Sequence, residues 1–396
     1  MKKFLLFSMA ALMTMALACK KDNKPEEETP FIPQTAQDFA GTVWVSKTGS
    51  PENSAVTAII AFSKDGARTY FINPETHRVY RIYHDEYSFT DKQIQIGMSG
   101  LELSPEPQFD LTVLFNYGGD VDGETMALYL VSKDGTVIPD DPMIYALQKK
   151  CNLGALLQEY YYPMAIDLGM VVDGKKILWA SCNLGASKEH ECGDYYAWGE
   201  TETKDSNDSQ GNYSWETYKW MQNGQSDWKH VTKYTFADRE TEGIWYEGDT
   251  FKGDDGDGVE HKDFASYDYA DDAARANLGA GWHTPTYAEW DWLRKNCTWT
   301  WTDNYNGTKV KGSVVTSGIN GNVIFLPAAG FRDYTSRSGY LSKGYYWSAD
   351  LYDSTTLKYS YRGRSIYFYL SSGEVYSLSH EQDRFNGLSI RPVRVE

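Results

Sequence analysis

Seven short segments, each carrying tryptophan, glycine or proline, punctuate the second half of this 396-residue chain. In order they are Trp179-Ala-Ser-Cys182-Asn-Leu-Gly-Ala186, Gly193-Asp-Tyr-Tyr-Ala-Trp-Gly-Glu200, Gly281-Trp-His-Thr-Pro-Thr286 and Cys297-Thr-Trp-Thr-Trp301. Ile324-Phe-Leu-Pro-Ala-Ala-Gly330, Gly344-Tyr-Tyr-Trp-Ser348 and Ser389-Ile-Arg-Pro-Val393 follow. Gly281, Pro285, Pro327, Gly330 and Gly344 act as backbone punctuation, so few regular helices are readable between them. Residues 267–278 suggest one helix, with Asp271 and Asp272 near its start, where carboxylates suit the helix dipole. Residues 286–295 suggest another: Thr286 is the N-cap and Glu289 completes a capping box. Trp290 and Leu293 then share a face. Trp179, Trp198, Trp282, Trp299 and Trp347 are read as core residues whose ring N–H groups need internal partners.

This ordered series resembles the Fibrobacter succinogenes major paralogous domain, a module of Bacteroidota surface lipoproteins, over residues 165–396. The resemblance implies an α+β C-type lectin-like domain, similar also to the formylglycine-generating enzymes. It also favours a Cys182–Cys297 disulfide, since both residues sit inside family motifs. The cysteines alone leave three pairings open among Cys151, Cys182, Cys192 and Cys297.

Residues 37–149 read differently. Segments such as 56–62, 92–96, 110–115 and 125–131 alternate apolar and polar residues with period two, the strand signal. Turn signals such as Lys64-Asp-Gly66 and Lys133-Asp-Gly135 separate them. A small antiparallel barrel or sandwich is expected, and a barrel this small is filled by side chains. Gly41-Thr-Val-Trp44 and Phe62-Ser-Lys-Asp-Gly66 resemble the lipocalin-like domains of Bacteroidota lipoproteins. The fold class expected for the whole chain is therefore mainly β, with residues 150–164 as a linker that includes a short helix.

The N-terminus has the layout of a processing signal: Lys2 and Lys3, an apolar run from Phe4 to Leu17, then Ala16-Leu-Ala-Cys19. Residues 1–18 are expected to be a lipoprotein signal peptide, with Cys19 lipidated and anchoring the chain to a membrane. Residues 19–36, charged and Pro-containing, are expected to be a disordered tether. By resemblance, their basic-then-acidic run implies display on the outer membrane surface. A net charge of −17 argues against nucleic acid as a partner.

Little in the chain looks like chemistry. No cysteine follows Cys297, which removes the formylglycine-generating machinery. The seven histidines are scattered, and no Gly-x-Ser-x-Gly, Walker or His-Glu-x-x-His motif occurs. An enzyme is not expected. No cofactor is expected either, although Asp254, Asp255, Asp257 and Glu260 in an acidic, Gly-rich run offer oxygen ligands to calcium.

The stretch from Gly330 to Gly387 has a paratope-like composition of Tyr, Ser, Asp and Arg. Its candidate ligand-binding residues are Asp333, Tyr334, Asp350, Tyr352, Asp353, Tyr359, Tyr361, Arg362, Arg364, Tyr367, Tyr369, Tyr376, His380 and Asp383. Alternation puts Ile366, Phe368 and Leu370 on one strand face and Tyr367 and Tyr369 on the other. The expected activity is non-catalytic binding of an extracellular glycan or protein. The alternatives are a structural part of a surface complex or fibre, or a retroelement-diversified variable receptor, which this region also resembles.

Overall fold

A computed structural model describes residues 30–48, 54–97, 100–103, 116–131, 142–204, 212–371 and 374–396. The signal segment, Cys19 and the strand expected at 110–115 lie outside the described residues. The structure is mainly β, with 46% strand and 12% helix. It divides into two compact units, Met1–Tyr162 and Pro163–Glu396.

Among the described residues, the first unit forms one antiparallel sheet of ten strands. They are β1 (Val43–Thr48), β2 (Ala55–Ser63), β3 (Gly66–Asn73), β4 (Arg78–Asp85), β5 (Tyr87–Thr90), β6 (Gln93–Gly97), β7 (Leu101–Leu103), β8 (Asn116–Asp122), β9 (Thr125–Val131) and β10 (Met143–Leu147). Their order is β5-β6-β8-β9-β10-β1-β2-β3-β4-β7. The sheet curls: Tyr87 of edge strand β5 reaches Phe62 of β2, with ring centroids 4.8 Å apart. Its hydroxyl donates to the carbonyl of Ser63 at 3.1 Å. Period-two alternation supplies the filling, with Val56, Ala58, Ile60 and Phe62 of β2 all buried. Trp44, Ile94, Met126, Leu128 and Tyr145 close the same core. Helix α1 (Leu153–Gln158), capped by the Asn152 side chain, belongs to this unit.

The second unit distributes its strands over small sheets. β11 (Ala165–Val172) and β12 (Lys175–Ala180) lead into it. Hairpin β13 (Tyr246–Glu247) and β14 (Thr250–Phe251) follows, then β15 (Trp282–His283). β16 (Cys297–Thr302), β17 (Gly312–Ser317) and β18 (Val323–Pro327) form a meander. β19 (Phe331–Asp333) and β20 (Ser336–Ser338) form a hairpin. β21 (Lys343–Asp353), β22 (Lys358–Ser371) and β23 (Glu374–Asp383) form a three-stranded sheet. β24 (Val393–Val395) inserts between β12 and β15. The core beneath collects Trp179, Trp290, Leu293, Leu326, Tyr346, Ile366 and Phe368. Gly344 is required there, because a Cβ would stand 2.1 Å from the Phe368 ring.

The helix read at 286–295 forms as α3 (Tyr287–Asn296) with its Thr286–Glu289 capping box. The helix read at 267–278 does not form as one piece. It breaks at Asp272 into a single 3-10 turn, Tyr269–Asp271, and α2 (Ala273–Leu278). The Asp272 carboxylate caps α2 and also accepts from the Thr284 N–H and hydroxyl, at 2.9 and 2.7 Å. Those tertiary bonds hold Asp272 in an extended conformation. Asp271 instead pairs with Lys233 at 2.6 Å and accepts from the Tyr234 hydroxyl at 2.8 Å.

Of the five tryptophans expected in the core, the buried ones find their partners. Trp198 donates to the Ser348 carbonyl at 2.9 Å and Trp347 to the Tyr196 carbonyl at 2.7 Å. Trp299 is the exception: it is only half-buried, and its ring nitrogen has no partner. Two arginines lie wholly inside. Arg384 donates to the carbonyls of Lys233, Tyr234 and Ser360 and to the Tyr218 hydroxyl. Arg391 donates to the carbonyls of Ala180, Ser181 and Phe325 and to Asn183 Oδ1.

Candidate functional site

Strands β21, β22 and β23 bring one group of the expected residues together. Tyr345 lies opposite Tyr367, and Tyr369 lies opposite Tyr376, so all four project from one sheet face. Cross-strand aromatic pairs at such positions stabilise a sheet by up to about 1 kcal/mol each. Here they stack in series. Tyr345–Tyr367 centroids are 4.7 Å apart, Tyr367–Tyr369 4.9 Å and Tyr369–Tyr376 5.6 Å, with ring planes 21–24° apart. His380 stands edge-on to Tyr367 at 5.7 Å, and the Lys343 ammonium lies 5.4 Å from the Tyr367 centroid. The opposite face of β22, Ile366 and Phe368, is in the core; Leu370, expected to join them, lies past its edge and is exposed.

The stacking alters what the ladder can offer. Tyr367 is already stacked against two other tyrosines, which leaves its ring little room to stack on a sugar. What the ladder presents is ring edges and phenol hydroxyls, growing more accessible from Tyr345 to Tyr376. Tyr376 is 40% exposed and Leu378, opposite Tyr367, 43%. Burial pushes the Tyr345 phenol well above its ordinary range, with Tyr367 adding to the effect.

The remaining expected residues do not join it. Tyr361 stacks on Trp228 at 4.7 Å and packs against a separate core cluster. Tyr359 lies 5.5 Å from it, and Arg362 sits between Asp383 and Glu381 at 3.7 Å each. Burial raises the carboxyls of Asp383 and Asp333. Tyr334, half exposed at a positive φ, leans on Phe385 at 5.9 Å. A third group is structural. Asp350 accepts from Tyr287 N–H at the start of α3 at 2.5 Å and from the Ser348 hydroxyl at 2.6 Å. Arg364 is sandwiched between Tyr287 and Tyr352, and Asp353 pairs with Lys262 at 2.9 Å.

The expected calcium ligands are spent separately. Asp254 accepts from Tyr234 N–H at 2.7 Å and from the Thr235 hydroxyl. Asp257 turns back on Val259 N–H at 2.8 Å, and Glu260 pairs with Lys262 at 2.9 Å. Asp255 accepts from the Tyr267 hydroxyl at 3.3 Å. Among the described residues no group of three His, Cys, Asp or Glu side chains stands ready for a metal. The expected Cys182–Cys297 bridge is also absent, since all four cysteines in the described residues are free. Cys182 is buried and gives its S–H to the Ala186 carbonyl at 3.1 Å. Cys297 begins β16 opposite Ser317. Burial pushes both thiols up to about 11, which keeps them protonated at neutral pH.

The motif reading of the sequence missed Tyr345, because it took only Trp347 as core and Gly344 as punctuation from Gly344-Tyr-Tyr-Trp-Ser348. The signal was available in the alternation: Tyr346 points into the core, so Tyr345 had to point away. A second concavity was missed as well. An open groove of about 690 Å³ is lined by Trp299, Trp301, Asp303, Leu370 and Glu374. No family model matches this chain, and no curated protein or solved structure matches it either.

Proposed function

We propose that this chain is a lipid-anchored surface protein of an outer membrane. In this reading a small lipocalin-like barrel acts as spacer, and a C-type lectin-like unit binds an extracellular ligand without catalysis. The observation that carries the reading is the stacked row of Tyr345, Tyr367, Tyr369 and Tyr376 on an outward sheet face. Rigid, amphipathic rings lose little entropy on binding, and their hydroxyls supply directional contacts. Beside them β23 is an edge strand of its sheet, and an edge strand can accept an extended segment of a partner. Those two features favour a protein ligand at this face. They equally suit the alternative role, a fixed part of a surface assembly.

A glycan is favoured by one other observation, the groove holding Trp299 and Trp301 side by side with carboxylates of Asp303 and Glu374 at its rim. The test is the intact protein on a broad glycan array, with and without calcium, together with crosslinked capture from intact cells. A glycan hit lost in Trp301→Ala would assign the groove. A captured protein partner lost in Tyr376→Ala, with circular dichroism unchanged, would assign the ladder. Silence in both assays would refute the binding reading.

A further inference from the structure

We propose that the β19–β20 hairpin and Tyr195 form a second site, which takes a small carboxylate-bearing ligand of about monosaccharide size. Arg332 and Arg337 are directly opposed across this hairpin. Like charges in that position destabilise a sheet. The two guanidinium carbons nevertheless lie at the same Tyr195 ring, each 5.4 Å from its centroid. Among the described residues neither has a carboxylate within 4.0 Å. Arg337 lies flat over Tyr340 at 3.4 Å and gives Nη2 to Cys192 Sγ at 3.2 Å and Nε to the Ala329 carbonyl at 3.4 Å.

The hairpin borders an open cleft of about 570 Å³, a volume suited to a small ligand. Lys204, Glu191 and Asp194 are the other charged groups in its lining. Lys204 pairs with Glu200 at 3.0 Å and donates to the Thr217 carbonyl at 2.7 Å. Glu191 accepts from Ser187 N–H at 2.9 Å, and Asp194 has a contact of its own. The frame is rigid: the Tyr195 hydroxyl donates to the Ala329 carbonyl at 2.7 Å, and the Tyr213 hydroxyl to the Tyr195 carbonyl at 2.6 Å. The main chain of Arg332 exchanges hydrogen bonds with Gly387 at 2.7 and 3.0 Å. Two positive forks on aromatic supports, neither of them ion-paired among the described residues, match the planar geometry of a carboxylate. This site is independent of the tyrosine ladder.

Calorimetric titration of the intact protein at low ionic strength, with glucuronate, succinate, glucose and sulfate as probes, tests the proposal. Glucuronate or succinate should bind, and the tighter of the two tells an acidic sugar from a simple organic acid. Glucose should not bind, and sulfate should bind at least about tenfold more weakly. Arg332→Ala and Arg337→Ala should each weaken carboxylate binding about tenfold or more, the loss of one charge-assisted hydrogen bond. Arg332→Lys, which keeps the charge but not the fork, should weaken it too. Absence of binding by both carboxylates, equal binding of sulfate, or undiminished binding in the double alanine variant would each overturn the assignment. A melting readout separates a ligand site from a structural pair. Arg332→Gln, which relieves the opposed charges, should melt no lower than the parent without ligand and should lose the rise in melting temperature that carboxylate gives the parent. A marked drop in the unliganded variant would also overturn it.

Discussion

Arg384 and Arg391 lie in the interior of the second unit, while Arg332 and Arg337 line its open cleft. The interior pair is saturated, with each guanidinium divided among four neutral acceptors. In the half-buried cleft pair, Arg332 leans, among the described residues, on the Tyr195 ring alone, while Arg337 also stacks on Tyr340 and donates to Cys192 Sγ and the Ala329 carbonyl. A buried charge without a full set of acceptors costs several kcal/mol, so an interior arginine must be a fastener that ties distant carbonyls together. An arginine at a solvated rim carries no such requirement and is free to meet a ligand. The same side chain is therefore a staple in one place and a receptor element in the other, and exposure with partner count tells the two apart.

The largest expected effect tests the interior half of that contrast. Arg391→Ala should cost at least about 3 kcal/mol, because it strips four acceptors of their donor. Denaturant unfolding measures it, and a loss below about 1 kcal/mol would break the comparison. Gly344→Ala should cost about 1–3 kcal/mol through overpacking against Phe368. Tyr367→Ala should cost about 1–2 kcal/mol, since it interrupts two stacked contacts. Arg332→Ala should shift unliganded stability by no more than about 0.5 kcal/mol. A much larger loss would mean that the cleft arginine is a staple after all.

A pH series sharpens the contrast for acidic groups. Burial raises the Asp350 carboxyl above its ordinary value of 3.8, against hydrogen bonds from Ser348 and Tyr287 that favour its charged form. The folded state thus holds this proton longer than the unfolded chain. The group's contribution to stability is full below 3.8 and declines as pH rises through the raised value. Asp350→Asn should flatten that decline in a series of melting curves.

Much of the fold was legible in the chain. Period-two runs foretold the strands of the first unit, and Thr286 with Glu289 marked the start of α3 to the residue. Local signals failed where a distant partner intervened. Thr284 takes Asp272 and breaks the expected helix. Trp228 takes Tyr361, which turns an expected contact residue into packing. The tyrosine face was half legible, since alternation in β22 paired Tyr367 with Tyr369, whereas Tyr345 joined them only through the β21–β22 register. The cleft was not legible at all: the opposition of Arg332 and Arg337 depends on hairpin register, and their shared ring, Tyr195, is more than a hundred residues away.

The placement of β24 and Arg391 has a consequence for the order of events during synthesis. Arg391 reaches back 211 residues to the Ala180 carbonyl, and β24 fills the gap between β12 and β15. Until residues 391–395 have emerged, β12 and β15 lack the strand that joins them, and the acceptors around Arg391 have no donor. Contacts this remote in sequence form slowly. The second unit therefore stays unlocked for nearly the whole time that it is being made, and its last few residues act as the latch.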